Sequence, residues 1–267
     1  MDWTTYLLPI VGFLTGFLIT FIGGGGGAVY IPLLVLLFGL HFKDAVPISL
    51  AAMIFASLAG SVGHYRQGNI HIRGGLLASI ASILGTGFGT YISTIAPETI
   101  LQRAFGLLLL AMIYPMWLEI RGRKEKLDRE ELEKEIHILE HPFDHGRFIA
   151  SMIFLTGFAS GVSAGLFGVS GVVTLIVGFY LIGVKAKVIV GTSIFILFFK
   201  ALSGFLWHIA FSDINWTIVI LLSLGTAIGG VIGPIVLERM HHEKAENMLE
   251  WVFIGIIAVL AIIFLTR

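Results

Sequence analysis

The sequence contains no cysteine. This absence excludes a disulfide scaffold, a thiolate metal site, a haem-attachment motif and a cysteine nucleophile. Charged residues are also scarce: they make up 13% of the chain, whereas a soluble domain carries about 25%. The formal net charge is zero, which excludes a nucleic-acid binder with a basic face and an acidic disordered tail. No Walker-type phosphate-binding sequence is present, so we expect no ATP hydrolysis by that route.

Apolar residues, in contrast, are abundant. Hydrophobic residues make up 57% of the 267 positions, and the mean hydropathy is +0.95. Several apolar runs approach the length of about 20 residues that a helix needs to span a bilayer. The composition therefore predicts an all-α polytopic membrane protein. No Lys or Arg precedes the first run, so we expect that run to be part of the fold and not a removable signal peptide.

The apolar runs form two sets of five, separated by a polar stretch. They lie at about 5–21, 28–40, 45–63, 74–95 and 99–120, and at about 148–164, 169–182, 188–208, 215–237 and 247–266. We predict a first transmembrane repeat at 1–120, a connector with a short amphipathic helix at 121–147, and a second repeat at 148–267. The second and seventh runs are shorter than a span. Each of the segments 5–40 and 148–182 therefore either crosses fully or re-enters.

Short matches recur in the same order in both sets. They pair 14–17 with 155–158, Ser49 with Ser193, His64 with His208, and 85–86 with 225–226. These matches predict an internal duplication. Lys and Arg concentrate on the cytoplasmic side of membrane helices, and an odd number of crossings in each half would bring most basic loops to one side. We therefore predict two inverted-topology repeats, each with a broken helix pair and three spanning helices. Both termini would lie outside and the 121–147 connector in the cytoplasm.

A run of five glycines at 23–27 interrupts the first repeat. Each glycine in a helix costs about 1 kcal/mol relative to alanine, and an open backbone in a membrane must be buried in protein or line a cavity. The helix that follows would present free N–H groups and its positive dipole end to an anion. The residues expected to bind substrate here are Gly24, Gly25, Gly26 and Gly27.

The second repeat carries a looser version of the same interruption. Its members are Gly165, Gly168, Ser170 and Gly171. Paired interruptions in inverted halves are typical of the central binding site of a transporter. The alternative is that such glycines only permit close helix packing. That alternative suits Gly12, Gly16, Gly85, Gly89, Gly225, Gly229 and Gly233.

Lys200 is a cation deep within a predicted span, and no Asp or Glu lies inside a span to pair with it. Intramembrane charges usually face a partner or a water-filled pathway, so a transported anion would be a natural counter-charge. The alternative is a lysine that snorkels to the interface. The first turns of the third and eighth runs contain the hydroxyl residues Ser49, Thr192 and Ser193, which could donate hydrogen bonds to the anion. The alternative is that they cap helices or pack between them, as Ser and Thr commonly do.

Histidines suggest gating but no metal site. His64 and His208 end the third and eighth runs, where we expect a gating role or an interfacial anchor. His137, His141 and His145 are spaced for one helix face, but Pro142 interrupts that helix. We predict no metal and no cofactor.

The residues 168–171 also match the GxSG pattern around the serine of rhomboid-type intramembrane proteases. A serine nucleophile needs a histidine within hydrogen-bond reach. His208 lies at a predicted helix end and Ser170 at a mid-membrane break. We therefore predict that the protein is not an enzyme, and an intramembrane serine hydrolase stays an alternative together with an anion channel.

The sequence resembles the TauE/SafE family of sulfite-exporter-like membrane proteins. The resemblance lies in the Gly-rich break followed by an apolar run with Pro32, in the His-Tyr-Arg-Gln-Gly-Asn-Ile loop at 64–70, and in the degenerate second copy. It implies transport of small sulfur-containing or organic anions, such as sulfite or sulfonates, across a prokaryotic inner membrane. We expect a secondary transporter that works by alternating access, with one repeat rocking against the other. A coupling proton or Na+ and a homodimer are further expectations.

Overall fold

The structure is a computed structural model that describes residues 7–21, 28–127, 147–182, 186–211, 214–239 and 243–267. Within these residues it contains ten α helices and no strand. Their bounds are α1 Leu8–Phe21, α2 Tyr30–Leu36, α3 Phe42–Arg66, α4 Ile72–Ile95, α5 Glu98–Leu127, α6 Arg147–Phe167, α7 Val172–Leu181, α8 Ala186–Ile209, α9 Trp216–Arg239 and α10 Glu243–Thr266. The predicted all-α class is confirmed.

Four helices in the described part of the chain are long and apolar enough to cross a membrane. They cover Phe42–Arg66, Ile72–Ile95, Arg147–Phe167 and Val188–Ile209. Helix α5 continues to Leu127 and so includes the start of the predicted connector. Residues 128–146, with the rest of the predicted amphipathic helix, lie outside the described residues. The glycine run at 23–27 also lies outside them.

Glycines bring two pairs of helices into backbone contact, α1 with α9 and α4 with α6. We call these two interfaces the glycine seams. In the α4/α6 seam the neighbours are Gly157 with Ala78, Gly161 with Ser82 and Gly165 with Thr86. In the α1/α9 seam they are Gly225 with Pro9 and Gly229 with Phe13. The residue numbers rise together in both seams, so each pair of helices runs parallel.

The packing alternative therefore holds for the glycines in these seams. Gly12 and Gly16 lie against the backbone of α9, and Gly85 and Gly89 lie against the backbone of α6. Small residues let helix backbones approach closely in membranes, where van der Waals packing replaces the hydrophobic effect between helices. Each seam joins a helix of the first half to a helix of the second half.

Helices α3 and α8 run in opposite directions. The start of α3 lies at the end of α4, where Lys43 Nζ donates to the Thr94 carbonyl at 3.0 Å. The start of α8 lies at the start of α4, where the His71 N–H donates to Thr192 Oγ1 at 3.0 Å. Further along, Trp207 packs against Gly87 in the second half of α4. Helix α8 is therefore parallel to α4, and α3 is antiparallel to both.

An aromatic cluster holds the start of α3 in place. The ring of Phe105 lies 5.5 Å from that of Phe42, 5.1 Å from that of Phe264 and 6.0 Å from that of Phe167. Edge-to-face aromatic pairs contribute about 0.5–1.5 kcal/mol beyond the area that they bury. Since Phe167 is the last residue of α6, this cluster also holds the end of α6 in place.

The seams make a testable prediction for Gly161. A Cβ added there would lie 2.8 Å from the Cα of Ser82, and it would meet the Ser82 carbonyl oxygen even more closely. Because backbone cannot move aside as a side chain can, we expect Gly161→Ala to lower stability by about 1–3 kcal/mol. Thermal unfolding in detergent measures this loss. Gly255→Ala is the matched control, since no heavy atom lies within 4 Å of that added Cβ. Equal unfolding temperatures for the two variants would contradict the prediction.

Candidate site at the break between helices α6 and α7

Helix α6 ends at Phe167, and α7 begins at Val172. Between them, Gly168 has φ +60° and Gly171 has φ +53°. These values lie in the left-handed region, which glycine adopts without a steric penalty. All four residues of the break, 168–171, are buried. The interruption expected in the second repeat is therefore present as a buried break between two helices.

Side chains from α3 and α6 hold the break. Ser49 Oγ lies 2.8 Å from the Gly168 carbonyl oxygen and 2.7 Å from that of Val46 in its own helix. At the other end of the break, Ser160 Oγ donates to the Gly171 carbonyl at 2.7 Å. The break thus has one attachment to the first half of the chain and one to α6.

Lys200 lies fully buried in the middle of α8. Its Nζ donates to Ser160 Oγ at 2.5 Å, so a single hydroxyl connects the ammonium to the carbonyl of Gly171. The described residues provide no carboxylate within ion-pair distance of Lys200. Because the side chain is enclosed by protein, its position does not fit a lysine that snorkels to a lipid interface. A cation buried in this way needs a counter-charge or a set of acceptors.

Five buried hydroxyls lack a partner among the described residues, and two of them, Ser170 Oγ and Ser193 Oγ, belong to the break and to α8. Ser170 stands within the break itself. Ser193 lies seven residues before Lys200, which places both on the same face of α8. A buried polar atom without a hydrogen bond costs about 1–3 kcal/mol, so each of these hydroxyls has capacity for a bound group.

Two residues predicted for the site have other contacts. Gly165 lies in the last turn of α6 and not in the break; it packs against the backbone of α4. Thr192 is buried, and its Oγ1 accepts the hydrogen bond from His71 described above. Gly24, Gly25, Gly26 and Gly27 fall outside the described residues.

The sequence matches the family model described as sulfite exporter TauE/SafE over residues 8–264. The chain belongs to the TauE/SafE family. Among curated relatives, the probable membrane transporter protein YdhB of Bacillus subtilis is 28% identical over 230 residues, which cover 85% of this chain and 88% of that protein. The probable membrane transporter protein YunE of the same organism is 25% identical over 257 residues, covering 93% of this chain and 94% of that protein.

A relative from another organism also matches the chain. The probable membrane transporter protein MJ0441 of Methanocaldococcus jannaschii is 28% identical over 181 residues, which cover 64% of this chain and 59% of that protein. No solved structure matches the chain significantly. The resemblance to the TauE/SafE family is thus confirmed, and the relatives' names describe membrane transport without a substrate.

In this TauE/SafE chain, the two predicted gating histidines lie in different surroundings. His208, at the end of α8, is buried, and its Nε2 lies 3.0 Å from the Gly165 carbonyl oxygen. His64, at the end of α3, is half-buried, and its Nδ1 has no partner among the described residues. Since α3 and α8 are antiparallel, the two histidines lie at opposite ends of the helix bundle.

The same geometry bears on the hydrolase alternative. A serine nucleophile must share a hydrogen bond with its base. His208 bonds to the backbone of Gly165, and Ser170 Oγ has no partner within the described part of the chain. The described residues therefore contain no Ser170–His208 pair.

Two polar contacts lie outside the sequence-based predictions. Ser160 is one of several small residues of α6, although it is the hydroxyl that meets Lys200. Tyr30 makes the second contact: its hydroxyl lies 2.9 Å from Thr226 Oγ1 and connects α2 with α9. A tyrosine three residues after a glycine run is the available signal for the second contact. The first contact depends on how α6 and α8 pack, and no local pattern carries that information.

Proposed function

We propose that this chain is a secondary transporter that moves a small anion, of the sulfite, sulfonate or related organic class, across a prokaryotic inner membrane by alternating access. Membership of a family of membrane transporters supports transport. The inference that the substrate is an anion is supported by Lys200. This lysine is fully buried, its partner is a hydroxyl, and it has no carboxylate nearby among the described residues.

The break between α6 and α7 supplies the remaining chemistry of the proposed site. Gly171 precedes the ten-residue helix α7 and provides no side-chain cap, so the N–H groups of the first turn are available to an anion. The unpartnered hydroxyls of Ser170 and Ser193 add donors. Oxyanions such as sulfite and sulfonates accept several hydrogen bonds at once, which suits a site built from one cation and several neutral donors.

The proposed transporter has inverted repeats. The antiparallel course of α3 and α8, which are third in their respective halves, supports this arrangement. The glycine seams also support it, because the first helix of each half packs against the fourth helix of the other half. In the proposal both termini lie outside and 121–147 in the cytoplasm, which follows the distribution of Lys and Arg. A proton or Na+ gradient, or the membrane potential, drives the movement of the anion.

Purified protein in liposomes tests the proposal. We expect saturable uptake of at least one anion from a panel of sulfite, alkyl sulfonates, thiosulfate and carboxylates, and faster uptake into vesicles preloaded with the same anion. Protein-free liposomes are the control for leak. Uptake of none of these anions would overturn the anionic substrate, and flux that rises linearly with concentration and shows no counterflow would indicate a channel. Imposed proton and Na+ gradients identify the coupling ion.

A further inference from the structure

A cavity of about 100 Å³ opens near the start of α3. Five helices converge on it or on its rim, and its lining includes Lys43 and Val46 of α3, Ser93 and Thr94 of α4, and Leu166 of α6. His208, near the end of α8, also lines it. The cavity therefore lies between helices of both halves and at the end of the bundle opposite to His64.

The floor of this cavity adjoins the break. Val46 lines the cavity and also packs against Gly168, where an added Cβ would lie 3.0 Å from the Val46 Cα. Leu166 lines the cavity two residues before the break, and His208 bonds to the backbone of Gly165 one residue earlier still. The lining of the cavity thus includes residues that contact the break or the last turn of α6 before it.

The lining of the cavity is cationic. The lining residue Lys43 is half-buried, and its ammonium donates to the Thr94 carbonyl, which leaves two further N–H donors. Among the described residues, no carboxylate lines the cavity. Glu98, in the first turn of α5, is engaged elsewhere: Oε1 accepts from the Phe42 N–H at 2.5 Å, and Oε2 lies 3.6 Å from His41 Nδ1. A cation in a narrow cleft raises the local concentration of anions.

The opposite end of the bundle is packed at the corresponding point. There the α3–α4 loop lies on the start of α8: the His71 N–H donates to Thr192 Oγ1, and Asn69 lies against the backbone of Gly191. In the described conformation, the cavity at the Lys43 end adjoins the break. At the opposite end of the bundle, a hydrogen-bonded contact covers the start of α8.

We propose that this cavity is the access vestibule through which a small oxyanion reaches the break, and that Lys43 is the residue that captures it. The proposal rests on the transport of an anion proposed above. It adds a second cationic site to the pathway, separate from Lys200 and reached first from the Lys43 face. His208, with Val46 and Leu166, forms the layer that the anion passes to move from one site to the other.

The absence of native cysteine makes the vestibule directly accessible to experiment. Ser93→Cys, in the otherwise unchanged chain in sealed proteoliposomes, is treated with membrane-impermeant methanethiosulfonates that carry either a sulfonate or a trimethylammonium group. Each labelling rate, followed by intact mass, is divided by the rate of that reagent with 2-mercaptoethanol. We expect the anionic reagent to be favoured by about tenfold, and we expect Lys43→Gln in the same protein to remove that preference.

Ser79→Cys is the matched control. Ser79 lies on the same helix, is buried, donates to the Gly75 carbonyl and does not line the cavity, so we expect no labelling there. Thr94→Cys provides a second lining position if Ser93→Cys does not fold. Labelling at both lining positions that is no faster than at Ser79→Cys would overturn the proposal, as would an anion preference that survives Lys43→Gln. Labelling needs no transport, so a reactive, anion-selective vestibule in a protein without flux would refute the proposed function alone.

Discussion

Replacement of Lys200 by methionine is expected to reduce anion transport at least about tenfold, which corresponds to about 1.4 kcal/mol of lost binding. Methionine retains most of the length of the side chain but removes the charge that would face the substrate. Folding should be retained or improved, because the buried ammonium has one hydroxyl partner among the described residues and burial of a charge without a counter-ion is unfavourable. The initial rate of uptake into liposomes and the unfolding temperature in detergent measure the two effects.

A second cation serves as the control for Lys200. Arg103 is exposed on α5 and belongs to neither proposed site, so Arg103→Met removes the same charge and should leave transport unchanged. Lys200→Ala should also transport poorly, but it leaves a cavity, which lowers stability in addition. A well-folded Lys200→Met protein with the wild-type rate would remove Lys200 from the substrate site.

A methyl group at Gly168 is expected to disrupt the break. Its φ of +60° costs a non-glycine residue about 1–2 kcal/mol. The added Cβ would also lie 2.9 Å from the Val46 carbonyl oxygen and even closer to Ser49 Oγ, and overpacking of this kind costs about 1–3 kcal/mol. We expect Gly168→Ala to lose both amounts of stability and most of its transport, as measured by unfolding in detergent and by liposome uptake.

Gly39→Ala separates the two contributions. Gly39 has a φ of +65°, but nothing lies within 4 Å of an added Cβ. Its alanine variant should therefore show the backbone cost alone and retain transport. If Gly168→Ala lost no more stability than Gly39→Ala, the close approach of the break to α3 would contribute nothing to stability.

The positions of the ten helices could be predicted because the lengths of the apolar runs and their breaker residues are local properties. The end of α5 could not, since a span ends where polar residues begin, whereas the helix continues through Arg121 to Leu127. The break was predicted from glycine content alone. Which glycines form it depends on the backbone: Gly165 continues α6, and only Gly168 and Gly171 adopt positive φ there.

The polar contacts of the candidate site depend on packing between distant segments. The sequence identified Lys200, since a charge within an apolar run is conspicuous. It could not identify Ser160 as the partner, because α6 contains several small hydroxyl residues and only the placement of α8 selects one of them. Thr192 met the criterion of a hydroxyl in a first helical turn, but its oxygen accepts the hydrogen bond of the His71 N–H.

Each glycine seam joins a helix of one half of the chain to a helix of the other half. Helices that would move together as a rigid unit would therefore come from both halves. Helices α1, α3 and α9 form one packed triad, and α4, α6 and α8 form another. A motion that kept both seams closed would swing these triads about the α3–α8 contact, so each rigid unit would contain segments from both sequence halves. The pivots would then be the connections between α3 and α4 and between α8 and α9, which join the two triads.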